Sequence, residues 1–187
     1  DFVVGVPLET LASAPQVDRD AAMTAMSDLA LRELFTFGHM QTDPNFANYL
    51  WQPGERRVVL LDFGAVRPVS AESAEAYRVL LRATLAGSVK SVRDALVDMQ
   101  YLSPAQIDRH GRTLDNMTSI VLDHLLKGPG GLVDFSDRGP LVAVRERSVP
   151  LFADRALWAL PSPDKMILQR KNTGLALLGK KHLVRLD

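Results

Sequence analysis

Along the first seventy residues the spacing of apolar positions changes repeatedly, and each change marks an element. Asp1-Phe2-Val3-Val4-Gly5-Val6-Pro7 is an apolar, β-branched run broken by Gly and Pro, which predicts a short strand running into a loop. Past Asp18, the apolar residues Ala22, Met23, Met26, Leu29, Ala30, Leu34 and Phe37 recur at steps of one, three or four. That is one face of a helix of period 3.6, predicted over 18–37. Asp18 or Asp20 is placed to cap its start, and Gly38 to stop it. From His39 to Trp51 no helical period survives, and Pro53-Gly54 marks a turn. Arg57-Val58-Val59-Leu60-Leu61 is a β-branched strand, so residues 49–61 read as a hairpin with Tyr49-Leu50-Trp51 as its first arm.

Beyond Pro68 the pattern is helical. Ser70 is a cap for a helix over 71–86, whose stripe is Tyr77, Leu80, Leu81 and Leu85. Gly87-Ser88 breaks it, a second helix covers 89–99, and Ser103-Pro104 opens a third that runs to Lys127. The third helix carries Ile107, Leu114, Met117, Ile120, Val121 and Leu125 on its apolar face. Gly128-Pro129-Gly130-Gly131 interrupts the chain, and a loop with Asp134, Asp137 and Arg138 follows. A helical stretch over 141–158 contains Pro150, which should kink or split it. Pro161-Ser162-Pro163 opens a last helix over 164–184. The result is a mainly α fold with one short β hairpin near the front. Strands and helices do not alternate, which excludes a doubly wound sheet.

Composition narrows this further. The 187 residues, 47% hydrophobic and 24% charged, suit one globular domain or one lobe of a larger one. Lys+Arg and Asp+Glu balance at 22 each, so no global field draws the chain to nucleic acid. The absence of cysteine excludes a disulfide scaffold and a thiolate zinc site. No apolar run reaches the roughly 18 residues that span a bilayer. The first residues form neither a signal nor a transit peptide, and they lack an initiator Met, which suggests a fragment. His110, His124 and His182 share no ligand spacing, Trp51 and Trp158 read as packing, and Met23 and Met26 as core.

Two stretches carry chemistry: His39-Met40-Gln41-Thr42-Asp43-Pro44-Asn45-Phe46-Ala47-Asn48, and Leu60-Leu61-Asp62-Phe63-Gly64. An Asp, an Asn five residues later, a hairpin and a strand ending in DFG form half of a kinase-type phosphoryl-transfer site. Phosphate oxygens crowd negative charge, and Mg²⁺ neutralises them through hard oxygen ligands. Asn48 offers a neutral carbonyl oxygen and Asp62 a carboxylate, while Asp43 can orient an attacking hydroxyl or water and take its proton. Gly64 is expected to let the backbone turn sharply after the ligand. Taken singly each residue has a plainer reading: Asp43 as a turn cap before Pro44, Asp62 as a strand end. His39 reads as a residue that orders the loop through backbone bonds, with a general base as the alternative.

The wording of these motifs resembles the UbiB/AarF-type atypical kinases, also called the Coq-eight or aarF-domain kinases. The likeness rests on Phe37-x-x-Met40-Gln41-Thr42-Asp43-Pro44-Asn45-Phe46-x-Asn48 and Leu61-Asp62-Phe63-Gly64-Ala65, with a weaker echo in Pro161-x-Pro163 and Leu168-x-Arg170-Lys171. The resemblance implies a protein-kinase-like C-lobe, with a hinge over 1–10, a helix over 18–37, the catalytic loop, hairpin and DFG over 39–67, and a helical remainder over 70–187. It implies Asp43 as the catalytic-loop aspartate, Asn48 and Asp62 as magnesium ligands, and the backbone of Phe2, Val3 and Val4 facing an adenine ring. ATP and Mg²⁺ are the implied cofactors, and isoprenoid-quinone (ubiquinone) biosynthesis the implied setting. The implied partners are quinone-biosynthesis proteins or a lipid surface, in a bacterial cytoplasm with peripheral membrane contact.

Departures from ordinary protein kinases are specific. Thr42 stands where an Arg precedes the catalytic Asp, Asn45 where a Lys follows it, and no Ala-Pro-Glu triplet occurs. No glycine- or alanine-rich nucleotide loop and no Lys-x-Gly-Gln precedes the hinge, so the sequence reads as a C-lobe without an N-lobe and inactive alone. The alternative is a non-catalytic, truncated helical interaction module. The basic pairs Arg170-Lys171 and Lys180-Lys181 read as a solvated helix face, or as a surface for anionic headgroups.

Overall fold

A computed structural model describes residues 3–43, 45–127, 133–134, 137–152 and 185–186. Phe2, Pro44, Trp158, His182, the glycine-rich break at 128–131, both basic pairs and the expected helix over 164–184 lie outside the described residues. The molecule is helix-dominated with small sheets, in two compact units: residues 3–70, and residues 71–127 with 137–152. Two further two-residue strands are Val133–Asp134 and Arg185–Leu186.

In the first unit, strand β1 (Val6–Pro7) leads into a 3-10 helix (Leu8–Ser13) and helix α1 (Gln16–Arg32). The helix starts earlier than expected. Its N-cap is Pro15, with no side-chain cap bond, so neither Asp18 nor Asp20 caps it. Pro15 is extended (φ −54°, ψ 149°), and its carbonyl accepts from Asp18 N and Arg19 N, which starts the helix. A π-helical turn (Glu33–Phe37) extends α1, and Gly38 ends it in the left-handed region at φ 62°. Gly38 also accepts a hydrogen bond from Val69 N at 2.8 Å, so the helix end is tied to the strand beyond the DFG stretch.

Strands β3 (Tyr49–Gln52) and β4 (Arg57–Leu60) form the expected hairpin, with Tyr49 opposite Leu60 and Gln52 opposite Arg57. Arg56, at φ 50°, closes the turn and donates from its N–H to Pro53 O. β1 pairs antiparallel with β3, making the order β1-β3-β4. Gly5 permits that approach: a Cβ there would lie 2.9 Å from Leu50 Cβ and 3.1 Å from Trp51 O. Two strands escape the periodicity altogether, β2 (His39–Gln41) and β5 (Val66–Pro68), which pair antiparallel with Met40 opposite Arg67. The front therefore holds two small sheets rather than one hairpin. Its core is Leu8, Leu11, Ala22, Met23, Met26, Tyr49 and Trp51, with Leu29, Val58 and Leu60 packed against it. Phe37, expected on the helix face, is exposed.

The second unit holds α2 (Ala71–Leu85), α3 (Val89–Asp98), α4 (Pro104–Leu126) and α5 (Gly139–Phe152). Ser88 caps α3 by accepting from Ser91 N. Ser103 opens α4 with a reciprocal capping box: Ser103 Oγ accepts from Gln106 N, and Gln106 Oε1 accepts from Ser103 N. The core is Ala83, Val92 and Leu122, joined by Leu80, Val89 and Leu96. The expected faces of α2 and α4 hold in part: Leu80 packs on the core and Tyr77, Ile107, Leu114, Met117, Ile120 and Leu125 are half-buried, whereas Leu81, Leu85 and Val121 are exposed and Ala83 and Leu122 are buried. α5 starts before residue 141 and continues through Pro150 to Phe152, so the expected break at Pro150 does not occur within the described residues.

Candidate functional site

The site begins where β2 runs beside β5. Thr42 donates twice to Ala65 O, from its backbone N at 3.2 Å and from Oγ1 at 2.8 Å. The residue before Asp43 is thereby fixed to the residue after the DFG triplet.

The Asp43 carboxylate is held by its own loop. Oδ1 accepts from Asn45 N at 3.1 Å, an Asx turn, and Oδ2 accepts from Asn48 Nδ2 at 2.8 Å. Asn45 Oδ1 accepts from Ala47 N and so caps the 3-10 turn Phe46–Asn48. That turn explains the five-residue spacing, because it folds Asn48 back onto Asp43. A carboxylate only accepts, so the nitrogen of the Asn48 amide faces Asp43. Asn48 Oδ1 is then the atom open to a cation.

Asp62 is brought close through the backbone. Leu61 N donates to Asn48 O at 2.8 Å, so the residue before Asp62 is bonded to the Asn at the end of the loop. Asp62 is exposed, and its Oδ1 accepts from Gly64 N at 2.7 Å, which leaves Oδ2 outward. Val66 N donates to Phe63 O at 3.1 Å and closes the turn. Gly64 does not reach the left-handed region there. Its role is space: a Cβ would lie 3.2 Å from Asp62 Oδ1.

Asn48 Oδ1 and Asp62 Oδ2 are hard oxygen donors, the kind Mg²⁺ prefers. No cluster of three or more His, Asp or Glu that could hold a metal occurs among the described residues. Magnesium uses few protein ligands when phosphates and water complete its shell, so two such oxygens are chemically of the kind that could share a cation with a polyphosphate.

The hinge residues are not tied to this cluster. Val3 and Val4 are exposed beside β1, and Val4 O accepts from Gln52 Nε2 at 2.6 Å. His39 is exposed, with Nδ1 3.0 Å from Phe37 O, the loop-ordering role expected of it.

Sequence reasoning overlooked Gln41. Its side chain is 1% exposed. Nε2 donates to Asp62 O at 2.6 Å, and Oε1 accepts from Asp43 N at 3.0 Å. Strand alternation places Gln41 on the side of exposed His39, so periodicity hides its burial. The available sign was a glutamine two residues before an aspartate at a strand end.

Comparison with known proteins agrees with the two motifs. The ABC1 atypical kinase-like domain matches residues 1–96. The mitochondrial atypical kinase COQ8B of Rattus norvegicus is 36% identical over 99 residues, covering 53% of this chain and 19% of the relative. COQ8 of Saccharomyces cerevisiae is 34% identical over 99 residues, covering 53% and 20%. COQ8 of Schizosaccharomyces pombe is 26% identical over 170 residues, covering 89% and 27%. The matched part of the chain thus covers only 19–27% of the length of these relatives. Among solved structures, Rv3197 of Mycobacterium tuberculosis, in complex with erythromycin, shares the fold with a TM-score of 0.66 at 16% identity, covering 100% of this chain and 46% of that one. The family match covers more than half of the chain and includes both motifs, so the chain belongs to the ABC1 atypical kinase-like family, the UbiB-type atypical kinases.

Proposed function

We propose that this chain is the C-lobe of a UbiB-type kinase or ATPase that binds Mg-ATP and supports isoprenoid-quinone (ubiquinone) biosynthesis. Turnover then requires an N-lobe to close over the nucleotide. The observation that carries the reading is the bonded run Asp43–Asn48–Leu61, which sets the catalytic-loop residues beside Asp62. Relatives carrying the name atypical kinase supply the reaction class.

The residues divide the work by chemistry. Asn48 Oδ1 and Asp62 Oδ2 would hold the cation. Bound Mg²⁺ would supply charge neutralisation to the phosphate oxygens. Asp43 would orient the attacking hydroxyl or water and accept its proton on a carboxylate oxygen. The bonds from Asn45 N and Asn48 Nδ2 keep that carboxylate in one rotamer before substrate arrives, which removes an ordering cost from the reaction. Val3 and Val4 are proposed to lie along the adenine, with Val4 O sharing its lone pairs between Gln52 and the base. No helix among the described residues is long and apolar enough to cross a membrane. Contact with a lipid surface or with quinone-biosynthesis proteins is proposed from the family likeness alone.

A melting titration with ADP, with and without Mg²⁺, tests this beside Asp62→Asn. Ligand at about 100 times its Kd adds about 2.7 kcal/mol, roughly 5–11 °C for a chain of this size. The expected result is a Mg-dependent rise that Asp62→Asn abolishes. A cooperative melt that nucleotide and Mg²⁺ leave unmoved would overturn the assignment.

A further inference from the structure

Asp43 and Asp62 stand on different segments, one after β2 and the other after β4. Two residues acting on one polyphosphate must keep a fixed separation, and sequence spacing cannot supply it across two segments. Backbone pairing holds Thr42 to Ala65 and Asn48 to Leu61, on either side of Asp62. At Asp62 itself the link is a side chain.

We propose that Gln41 is the positioning residue that couples the catalytic-loop aspartate to the DFG aspartate through one buried amide bonded to both. Its Nε2 donates to Asp62 O and its Oε1 accepts from Asp43 N. An amide is suited to this task because it carries a donor and an acceptor on one rigid plane. With one end on each aspartate's backbone, a shift of either segment breaks a bond of a side chain that is itself buried, which leaves a buried amide atom unpaired. Both of these bonds of the Gln41 side chain go to backbone atoms. It acts through the backbone atoms from which both carboxylates hang.

The inference rests on the proposed roles of Asp43 and Asp62, so the test keeps the two apart. In the complete protein that carries this lobe together with its N-lobe, Gln41→Met is close in volume and removes both bonds. Four quantities are measured: melting temperature, kcat, KM for ATP, and Mn²⁺ affinity in the presence of ADP from water-proton relaxation. Wild type and Asp62→Asn are run in parallel. The expected result for Gln41→Met is a cooperative melt, kcat lowered tenfold or more, KM for ATP within twofold, and Mn²⁺ bound at least threefold more weakly. A residue that only supports the fold would lower the melting temperature and leave kcat, KM and Mn²⁺ affinity of the folded fraction unchanged, and that outcome overturns the proposal.

If Gln41→Met does not melt cooperatively, amide exchange in the unaltered chain decides. The Asp43 N–H should be protected, and free exchange at Asp43 overturns the coupling. Should wild type itself bind no Mn²⁺ with ADP, or Asp62→Asn bind it normally, the Mg-nucleotide reading fails instead. Protection at Asp43 would then still report whether the amide bridge exists.

Discussion

Between Met40 and Val66, side chains reach backbone atoms far away in sequence: Gln41 bonds Asp62 O, and Thr42 bonds Ala65 O. In the unit of residues 71–127 and 137–152, most side-chain bonds stay within one turn. Ser88 bonds Ser91 N, Ser103 and Gln106 bond each other, and Lys90 bonds Asp94. Among the described residues, Arg93 also bonds Asp115 at 2.6 Å and Tyr77 bonds Tyr101 at 2.9 Å, each joining a helix to another segment. The contrast separates two tasks. Helices need an apolar stripe and satisfied ends, and neighbouring residues provide both. A site assembled from two segments needs distances between residues twenty apart, and only cross-chain bonds set those.

The largest expected effect breaks the frame on which the first region rests. Trp51 is fully buried in the core of that unit, between the hairpin and α1. Trp51→Ala should cost about 3–5 kcal/mol in urea unfolding followed by circular dichroism. Amides of the Asp43–Asn48 loop should lose their exchange protection, while those of α4 keep theirs. Equal loss in both regions would show that the two do not differ in what supports them.

Leu122→Ala is the counterpart in the second unit. Leu122 is 5% exposed and packs with Ala83 and Val92. The expected cost is about 2–4 kcal/mol, since the partners are small and the hole can partly collapse. The Mg-dependent nucleotide response of the folded protein should survive. Its loss would tie nucleotide binding to the helical unit.

The same division explains what the sequence discloses. Ser103-Pro104 foretells the start of α4 because the cap and its partner Gln106 lie within one turn. Gly38 foretells the end of α1 for a similar reason. Asp43, Asn48 and Asp62 stand out because their types and spacing form a recognisable motif, and in the structure Asn48 bonds Asp43 while Leu61, the residue before Asp62, bonds Asn48 O. Strands β2 and β5 are three residues each, too short for alternation to register. Gln41 is invisible for another reason: its partners are backbone atoms, and backbone is the same at every residue. On α2 and α4 the period gives the stripe but not its edges, so Leu81, Leu85 and Val121 are exposed while the rest of each stripe is half-buried. Ala83 and Leu122 take the buried places by packing.

A matched pair of milder changes sharpens the comparison. Ser103→Ala and Asn45→Ala each remove a side-chain oxygen that caps a helical turn, at Gln106 N and Ala47 N respectively. Each should cost about 1 kcal/mol of stability. Only Asn45→Ala should weaken the Mg-dependent melting shift, because the turn it caps delivers Asn48 to Asp43. Equal nucleotide responses in the two variants would mean that the loop does not depend on its cap.

The smallest effect is confined to alkaline pH. Burial pushes the Tyr77 phenol well above its ordinary range, and the hydrogen bond and charge of Tyr101 add to it. The folded chain thus holds this proton more tightly than the unfolded chain, whose phenol titrates near about 10. The stability so gained is fully present below about pH 10 and is lost as pH rises towards the folded value. Tyr77→Phe removes the hydroxyl and should cost about 1 kcal/mol at pH 7. Urea midpoints of the two proteins should differ by a constant amount from pH 6 to 9 and converge above 10, with the nucleotide response the same in both. A gap that stays constant to pH 11 would mean that this phenol does not titrate differently on folding, and that the bond between Tyr77 and Tyr101 works through geometry alone.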